Sequence, residues 1–509
     1  MKKYEMYEMS FNEKPPEDSW VDVDLTAEFT IDGKVKKVKG FYAGNGVYKV
    51  RFYPEKSGIY QYKIAGVIEE TGSIPCEDNI EGHGMVHSEG THFKHHDGTG
   101  YWPFGTTIYA LIHQEEALIE KTMQTLASAP FNKVRFCMFP KHYDYNHNDP
   151  EFYAFEKSAD GWDVNRPCFD YWENLESQIK RLANMGIECD IILFHGYDRW
   201  GFAQLTREEA LVYLEYTMRR LAAFPNIWWS LANEYELLKD YTEEDWICFA
   251  EYMNQNDPYG HLLSIHDFIK VWNPSQKEIS HLSLQIKDVQ PVSDYIQKYG
   301  KPVIVDECRY EGNIEYEWGN ISAFEMTDRF WKTCMQGGYC THGETFLSED
   351  VILWWSKGGC LKGESANRIG FLRSVMEELP GPIHYWRNER TLDYARIEEI
   401  RDNPALQGIN IAWDILSQVS REELEPMLAV CKQYQGHCGK EAFMIYYSRN
   451  CTTVGRMLLP ENGRYQVEVI DVWAMTREVV MHDILGEIQI PLPGREGIAV
   501  LAKCERREV

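Results

Sequence analysis

The chain of 509 residues has no apolar run of the ~18 residues that a membrane span requires. Its first stretch, Met1 to Trp20, is charged throughout and holds no hydrophobic core of a secretory leader, so a cytoplasmic protein is expected. Positive charge is scarce: 52 Lys and Arg stand against 79 Asp and Glu, for a formal charge of −27. A surface of that sign repels phosphate backbones and anionic lipid, so neither nucleic acid nor a membrane is an expected partner. A neutral partner is easily accommodated. The 13 cysteines include no CxxC pair and are scattered from Cys76 to Cys504. Cys137 and Cys189 sit inside apolar strand-like runs, where a free thiol acts as a small buried hydrophobe. Reduced thiols are therefore expected. Low-complexity tracts and short-period repeats are also lacking, which excludes fibres and solenoids.

What is present is ordinary globular usage, 44% hydrophobic and 26% charged. At roughly 150 residues per domain the length suggests about three domains, each able to bury a core without staples. The pattern along the chain changes twice. Residues 1–85 alternate with period two, and Asp32-Gly33 breaks the alternation as a hairpin turn would. That stretch reads as a small β-sandwich, and the final ~85 residues (421–509) read as a second one. Between them, in 86–420, short apolar strands alternate with amphipathic helical stretches. Eight strand candidates fall at 101–107, 133–139, 188–194, 226–232, 261–266, 281–286, 302–307 and 337–342. Eight βα units between about residues 95 and 370 match a (β/α)8 barrel of ~250 residues. The expected class is α/β, a TIM barrel flanked by two all-β sandwiches.

In such a barrel the chemistry gathers at the C-terminal ends of the strands. Strand three is followed by His195, Tyr197 and Asp198. Strand four ends in Asn233-Glu234, strand five in His266-Asp267, strand seven in Asp306-Glu307 and strand eight in His342. Carboxylates after strands four and seven face each other across the mouth of an eight-stranded barrel. Two such groups are what retaining glycoside hydrolysis uses, one attacking the anomeric carbon and one exchanging protons with the leaving oxygen and with water. Strict alternation puts Val303, Val305 and Glu307 on one side of the seventh strand and turns Asp306 toward the helices.

The Asn-Glu pair after strand four and the Glu ending strand seven resemble the clan A glycoside hydrolases. The whole chain resembles the cellulase-like or apiosidase-like hydrolases, in which a β-sandwich of unknown function precedes the barrel and another follows it. The segments PFGTTIYAL, FNKVRFCMFPKHY, LFHGYDRWGF, WWSLANEYEL, VDECRYEGN and THGETF carry the likeness. The resemblance implies that Glu234 is the acid/base and Glu307 the nucleophile. It implies that Asn233 binds the hydroxyl beside the anomeric carbon and that Arg135 polarises the nucleophile. Tyr197, Asp198, His195, His266 and His342 become sugar-binding candidates, and Trp354 and Trp355 candidates for an aromatic platform. The clan's tyrosine on strand six has no counterpart in LSLQIKDV, and Tyr310 is the substitute considered.

Each residue also has an ordinary reading. Glu236 and Glu311 suit hydrogen-bonded or solvated roles, and the histidines suit structural hydrogen bonds equally well. One of the two tryptophans is expected in the core and one in the cleft. Five histidines, His83, His87, His92, His95 and His96, fall together, but in a Gly-rich linker without cysteines at ligand spacing. No metal and no cofactor is expected. The expected function is a retaining glycoside hydrolase with two glutamates acting on an oligosaccharide or small glycoside, with a homo-oligomer possible. The alternatives are a transglycosylase or inverting hydrolase on the same barrel, and a catalytically silent carbohydrate-binding protein.

Overall fold

The structure, a computed structural model, describes residues 1–159, 161–387, 394–431 and 433–507. The chain divides into two compact units. The first comprises Met1–Lys287, Tyr299–Met326 and Cys340–Gly370, and the second Asp288–Lys298, Thr327–Tyr339 and the chain from Phe371 on.

The first unit begins with two antiparallel sheets. One has three strands in the order Tyr7–Asn12, Val47–Phe52, Phe41–Tyr42, and the other four in the order Lys34–Lys39, Leu25–Ile31, Gly58–Gly66, Glu70–Cys76. Alternate residues Leu25, Ala27 and Phe29 meet Val50 and Phe52 in a shared core, where the Phe29 and Phe52 rings stack 4.0 Å apart. The Asp32-Gly33 turn takes positive φ at both residues, +51° and +74°, the geometry whose twist matches that of the strands it joins. Arg51 of this sandwich and Arg220 of a barrel helix both bind Glu176 at 2.6 Å, out of solvent. Burial opposes the charge on Glu176, but the two guanidiniums outweigh it and hold the carboxyl at about 2.

Eight parallel strands follow: β1 (Phe104–Thr107), β2 (Lys133–Cys137), β3 (Glu188–His195), β4 (Ile227–Asn233), β5 (Leu263–Ser264), β6 (Leu282–Gln285), β7 (Val303–Glu307) and β8 (Tyr339–His342). Their order in the sheet is β5-β4-β3-β2-β1-β8-β7-β6, and one parallel bridge, His266 to Ser283, joins the two ends into a TIM-type barrel. All eight strands lie within the segments expected from the sequence or within a residue of them. Every connection except β5–β6 carries a helix, among the described residues. The helices form where the periodicity places them. Arg207–Leu221, for example, opens on a Thr206–Glu209 capping box that satisfies end N–H groups.

The barrel interior holds a charged tier. Lys133 Nζ lies 2.7 Å from Asp190 Oδ2 and 2.8 Å from Asp306 Oδ1, and Ser283 and Thr341 also donate to Asp306. Asp306 thus points to the barrel axis and not to the helices as alternation implied. The reason is a bulge: β7 advances two residues, Val305 to Glu307, while its neighbour β6 advances one, Leu284 to Gln285. Two consecutive acidic residues therefore both serve the interior.

In the second unit a six-stranded antiparallel sheet runs in the order His384–Tyr385, Tyr434–Cys438, Ala442–Tyr446, Ile498–Arg507, Gly463–Asp471, Thr476–Ile484. It shares a core with the pair Val454–Leu459 and Gly486–Pro491, through Ile445, Val467 and Val500 on one side and Met457, Leu459 and Ile490 on the other. Three helices, Tyr394–Asp402, Ile411–Leu416 and Arg421–Cys431, precede most of this sheet in the chain.

Candidate active site

A cavity of about 630 Å³ opens in the first unit, within the roughly 300–1,000 Å³ typical of small-molecule sites. Its walls come from the loops after the strands. Glu234 and Glu307 both line it.

Glu234 follows β4 in the left-handed region, at φ +53°. A side chain there costs of order 1–3 kcal/mol, and such strain concentrates at functional positions. The turn is held by Tyr235 N–H donating to His266 O at 3.1 Å. Glu234 is only 4% exposed. Burial and the charge of Glu307 push it up to about 7, while the charge of Lys141 and contacts with Tyr197 and Gln285 act the other way. It therefore holds its proton to higher pH than an ordinary glutamate, as a general acid should.

A chain of hydrogen bonds runs from one glutamate to the other. Asn233 Nδ2 donates to Glu234 Oε2 at 3.1 Å. Asn233 Oδ1 accepts from Arg135 Nη1 at 2.9 Å and faces the Tyr109 hydroxyl at 3.1 Å. Tyr109 donates to Glu307 Oε1 through a short bond, and Arg135 Nη1 stands 3.6 Å from the same oxygen. Arg135, Asn233 and Tyr109 are all essentially without solvent contact. Burial, followed by the charge of Glu307, holds the Tyr109 hydroxyl far above its ordinary range, so it keeps its proton and donates. His266 Nε2 lies 4.0 Å from Glu307 Oε1; burial keeps the ring neutral, so this is not an ion pair. Lys141, 2% exposed, rests its ammonium over three tyrosine rings, 3.3 Å from the centroid of Tyr109, 4.3 Å from Tyr197 and 4.8 Å from Tyr143.

Of the expected residues, Tyr197, Tyr310 and Trp355 line the cavity with the two glutamates, and Arg135, Asn233 and His266 are buried against those glutamates. Four others are placed elsewhere. His195 is buried, with Nε2 3.1 Å from Phe139 O. Asp198 is turned into its own loop, accepting from the backbone N–H of Trp200, Gly201 and Ala203 at 2.8–2.9 Å. His342 stacks on Phe131 at 4.7 Å and bonds Thr106 Oγ1 through Nδ1. Trp354 is in the core, its indole N–H on the same Thr106 hydroxyl. In each case a local structural partner takes up the side chain.

Sequence reasoning missed Tyr109 and Lys141, which follow β1 and β2, and the rim residues Phe268, Ile269, Tyr316 and Trp318. The same strand-end rule that flagged strands three, four, five, seven and eight applies to the first two. The expected ordinary roles of Glu236 and Glu311 match their surroundings, since both accept backbone N–H groups. Of the linker histidines, His83 pairs with Asp97 at 2.7 Å and His95 with Gly84 O at 2.8 Å. One group of possible metal ligands lies together among the described residues, Glu311, His342 and Glu344. Its two carboxylates already bind the backbone N–H groups of residues 362–365, which open the helix Ser365–Glu377.

Comparison with known proteins bears on this site. A family described as the apiosidase-like catalytic domain matches residues 87–382. Two domains of unknown function, DUF5060 and DUF5605, match residues 1–66 and 431–503. The crystal structure of a provisionally assigned glycoside hydrolase from Bacteroides vulgatus ATCC 8482 is 31% identical, with a TM-score of 0.85, and 99% of each chain is covered. A family 5 glycoside hydrolase from the same organism is 15% identical with a TM-score of 0.59, covering 83% of this chain and 94% of its own, a likeness of fold. No protein of curated function matches the sequence.

Proposed function

The chain belongs to the family of apiosidase-like catalytic domains and is a glycosidase; from that premise we propose that it hydrolyses its glycoside with retention of configuration, with Glu234 as acid/base and Glu307 as nucleophile. The single observation that carries the reading is the asymmetry of two carboxyls lining one cavity. One is buried in a strained turn and pushed up to about 7, and the other is bound by a tyrosine hydroxyl and faced by a guanidinium.

In the first step Glu307 Oε attacks the anomeric carbon as the glycosidic C–O bond breaks, and the proton of Glu234 passes to the departing oxygen. The Tyr109 bond and Arg135 charge orient the attacking carboxylate. Asn233, tethered to Arg135 and Glu234, ties the acid to the group that polarises the nucleophile. In the second step Glu234, now charged, takes a proton from water, and the hydroxide oxygen displaces Glu307. Trp355, in edge contact with Tyr143 at 4.9 Å, offers a platform for the ring.

The test is a panel of aryl glycosides, apiosides included, run on the wild type and two variants. E307Q is expected to lose turnover on every substrate. E234A is expected to form the glycosyl-enzyme with a good leaving group and then stall, with azide restoring release as a β-glycosyl azide or its α counterpart, whichever matches the substrate. Release of the inverted sugar in proton NMR, or wild-type rates in either variant, overturns the assignment.

A further inference from the structure

We propose that the leaving-group side of the cavity is built for an apolar aglycone, so that the substrates are small glycosides of alkyl or aryl alcohols and not oligosaccharides. This rests on Glu234 being the proton donor to the leaving oxygen.

The connection after β5 is tied to the turn that carries Glu234. Glu236 accepts the backbone N–H groups of Phe268, Ile269 and Lys270 at 2.7, 2.9 and 2.6 Å. Tyr235, next to Glu234, donates its hydroxyl to Lys270 O at 3.0 Å and its N–H to His266 O. The rim on the acid's side is therefore fixed to the acid itself, and whatever departs with the proton must leave past it.

What that rim offers is decided by the same bonds. A sugar in this position would need donors and acceptors for its hydroxyls. The three consecutive backbone donors of the loop are turned away into Glu236, and the loop presents two hydrocarbon side chains. Phe268 and Ile269 line the cavity while 39% and 79% exposed. Together they give the rim an apolar surface that a hydrocarbon leaving group can cover. Tyr316, which also lines the cavity, stacks on Trp318 with rings 5.6 Å apart and 5° from parallel, adding flat aromatic faces to its wall.

Matched methyl and n-octyl glycosides of a sugar whose aryl glycoside the wild type cleaves test this, because their leaving alcohols have similar acidity and differ in apolar length. The wild type is expected to favour the octyl glycoside at least tenfold in kcat/KM. Tenfold is about 1.4 kcal/mol, which the burial of two methylene groups supplies. In the double variant F268S/I269S the ratio is expected within about twofold of one, and F268L/I269V should restore most of it. A wild-type ratio near one, a ratio untouched by the double variant, or a disaccharide of the same sugar preferred tenfold over the octyl glycoside overturns the proposal. If neither glycoside is turned over, the two-glutamate reading fails instead. The ratio of dissociation constants of the two glycosides, measured by calorimetry, then still decides on the rim.

Discussion

The charge of Glu307 is one of the two causes that raise Glu234, so removing it should lower the acid by a measurable amount. Raising the carboxyl from 4.5 to about 7 costs its ionised form about 3 kcal/mol, at 1.36 kcal/mol per pK unit. Burial is the larger cause and remains in E307Q, because the substitution keeps the side-chain volume. The second cause is bounded by Coulomb's law. Two unit charges ~5–5.5 Å apart, the separation that retention uses, repel by about 3 kcal/mol at an effective dielectric of ~20. Tyr109 and Asn233, which link the two groups, share that repulsion by polarising, so less than the full value acts on Glu234. We therefore expect Glu234 in E307Q to titrate at least one pK unit below about 7 and still above 4.5. The assay is carbon-13 NMR of protein labelled at the glutamate carboxyl, with E234Q assigning the resonance. An unchanged midpoint in E307Q would mean that the carboxyls do not feel each other, and the paired-glutamate site would be refuted. A wild-type midpoint near 4.5 would refute the burial argument as well.

Three further outcomes follow from the same contacts. Y109F removes a hydrogen bond to a carboxylate, worth about 1.5–3 kcal/mol, so kcat should fall roughly ten- to a hundredfold with KM within about twofold; an unchanged kcat would show that Tyr109 does not position Glu307. K141M removes a charge that lowers Glu234, so the acid should titrate higher and the alkaline limb of the kcat/KM profile should move to higher pH, with K141R restoring it. A limb that stays or moves down contradicts this. K133M leaves Asp190 and Asp306 buried without their cation, at a cost of about 3–5 kcal/mol, which thermal melting should register as a drop of several degrees or a loss of folded protein. The double variant K133M/D306N, with one stranded charge removed, should recover part of the loss.

Much of the fold was legible because two periods are hard to confuse. The apolar runs KVRFC and ECDIILF can only be strands buried on both faces, and Asp32-Gly33 is one of the few dipeptides that takes positive φ twice without strain. Strand Thr476–Ile484 was not legible. Its apolar residues are broken by Arg477, Glu478 and His482, and the structure explains why: it is the edge of its sheet and exposes most of both faces. Strand five was read as 261–266, whereas only Leu263 and Ser264 pair in the ladder and His266 adds the closing bridge. A strand that short is set by its neighbours and leaves almost no period of its own.

The site was legible at strand ends but not in side-chain direction. Position along a strand says which residues reach the rim, and that rule brought out Asn233, Glu234 and Glu307, while Arg135 came from the family resemblance. Direction needs a reference, and the sequence contains one. Lys133 and Asp190 are charged residues inside apolar strands, and a charge there must pair across the barrel interior and not pack against helices. Counting by two from Lys133 turns Arg135 and Cys137 inward, where Arg135 meets Asn233. The same count from Thr341, which reaches Asp306 in the interior, sends His342 to the outer face beside Phe131. It fails on β4, where Trp228 lies under the Lys133 ammonium yet Asn233, five residues on, meets Arg135, and on β7, because no feature of PVIVDE announces the extra residue that lets Asp306 anchor the charged tier while Glu307 faces the cavity. That bulge gives the barrel a stabilising carboxylate and a reactive one from adjacent positions. An alternating strand would have given up one of them.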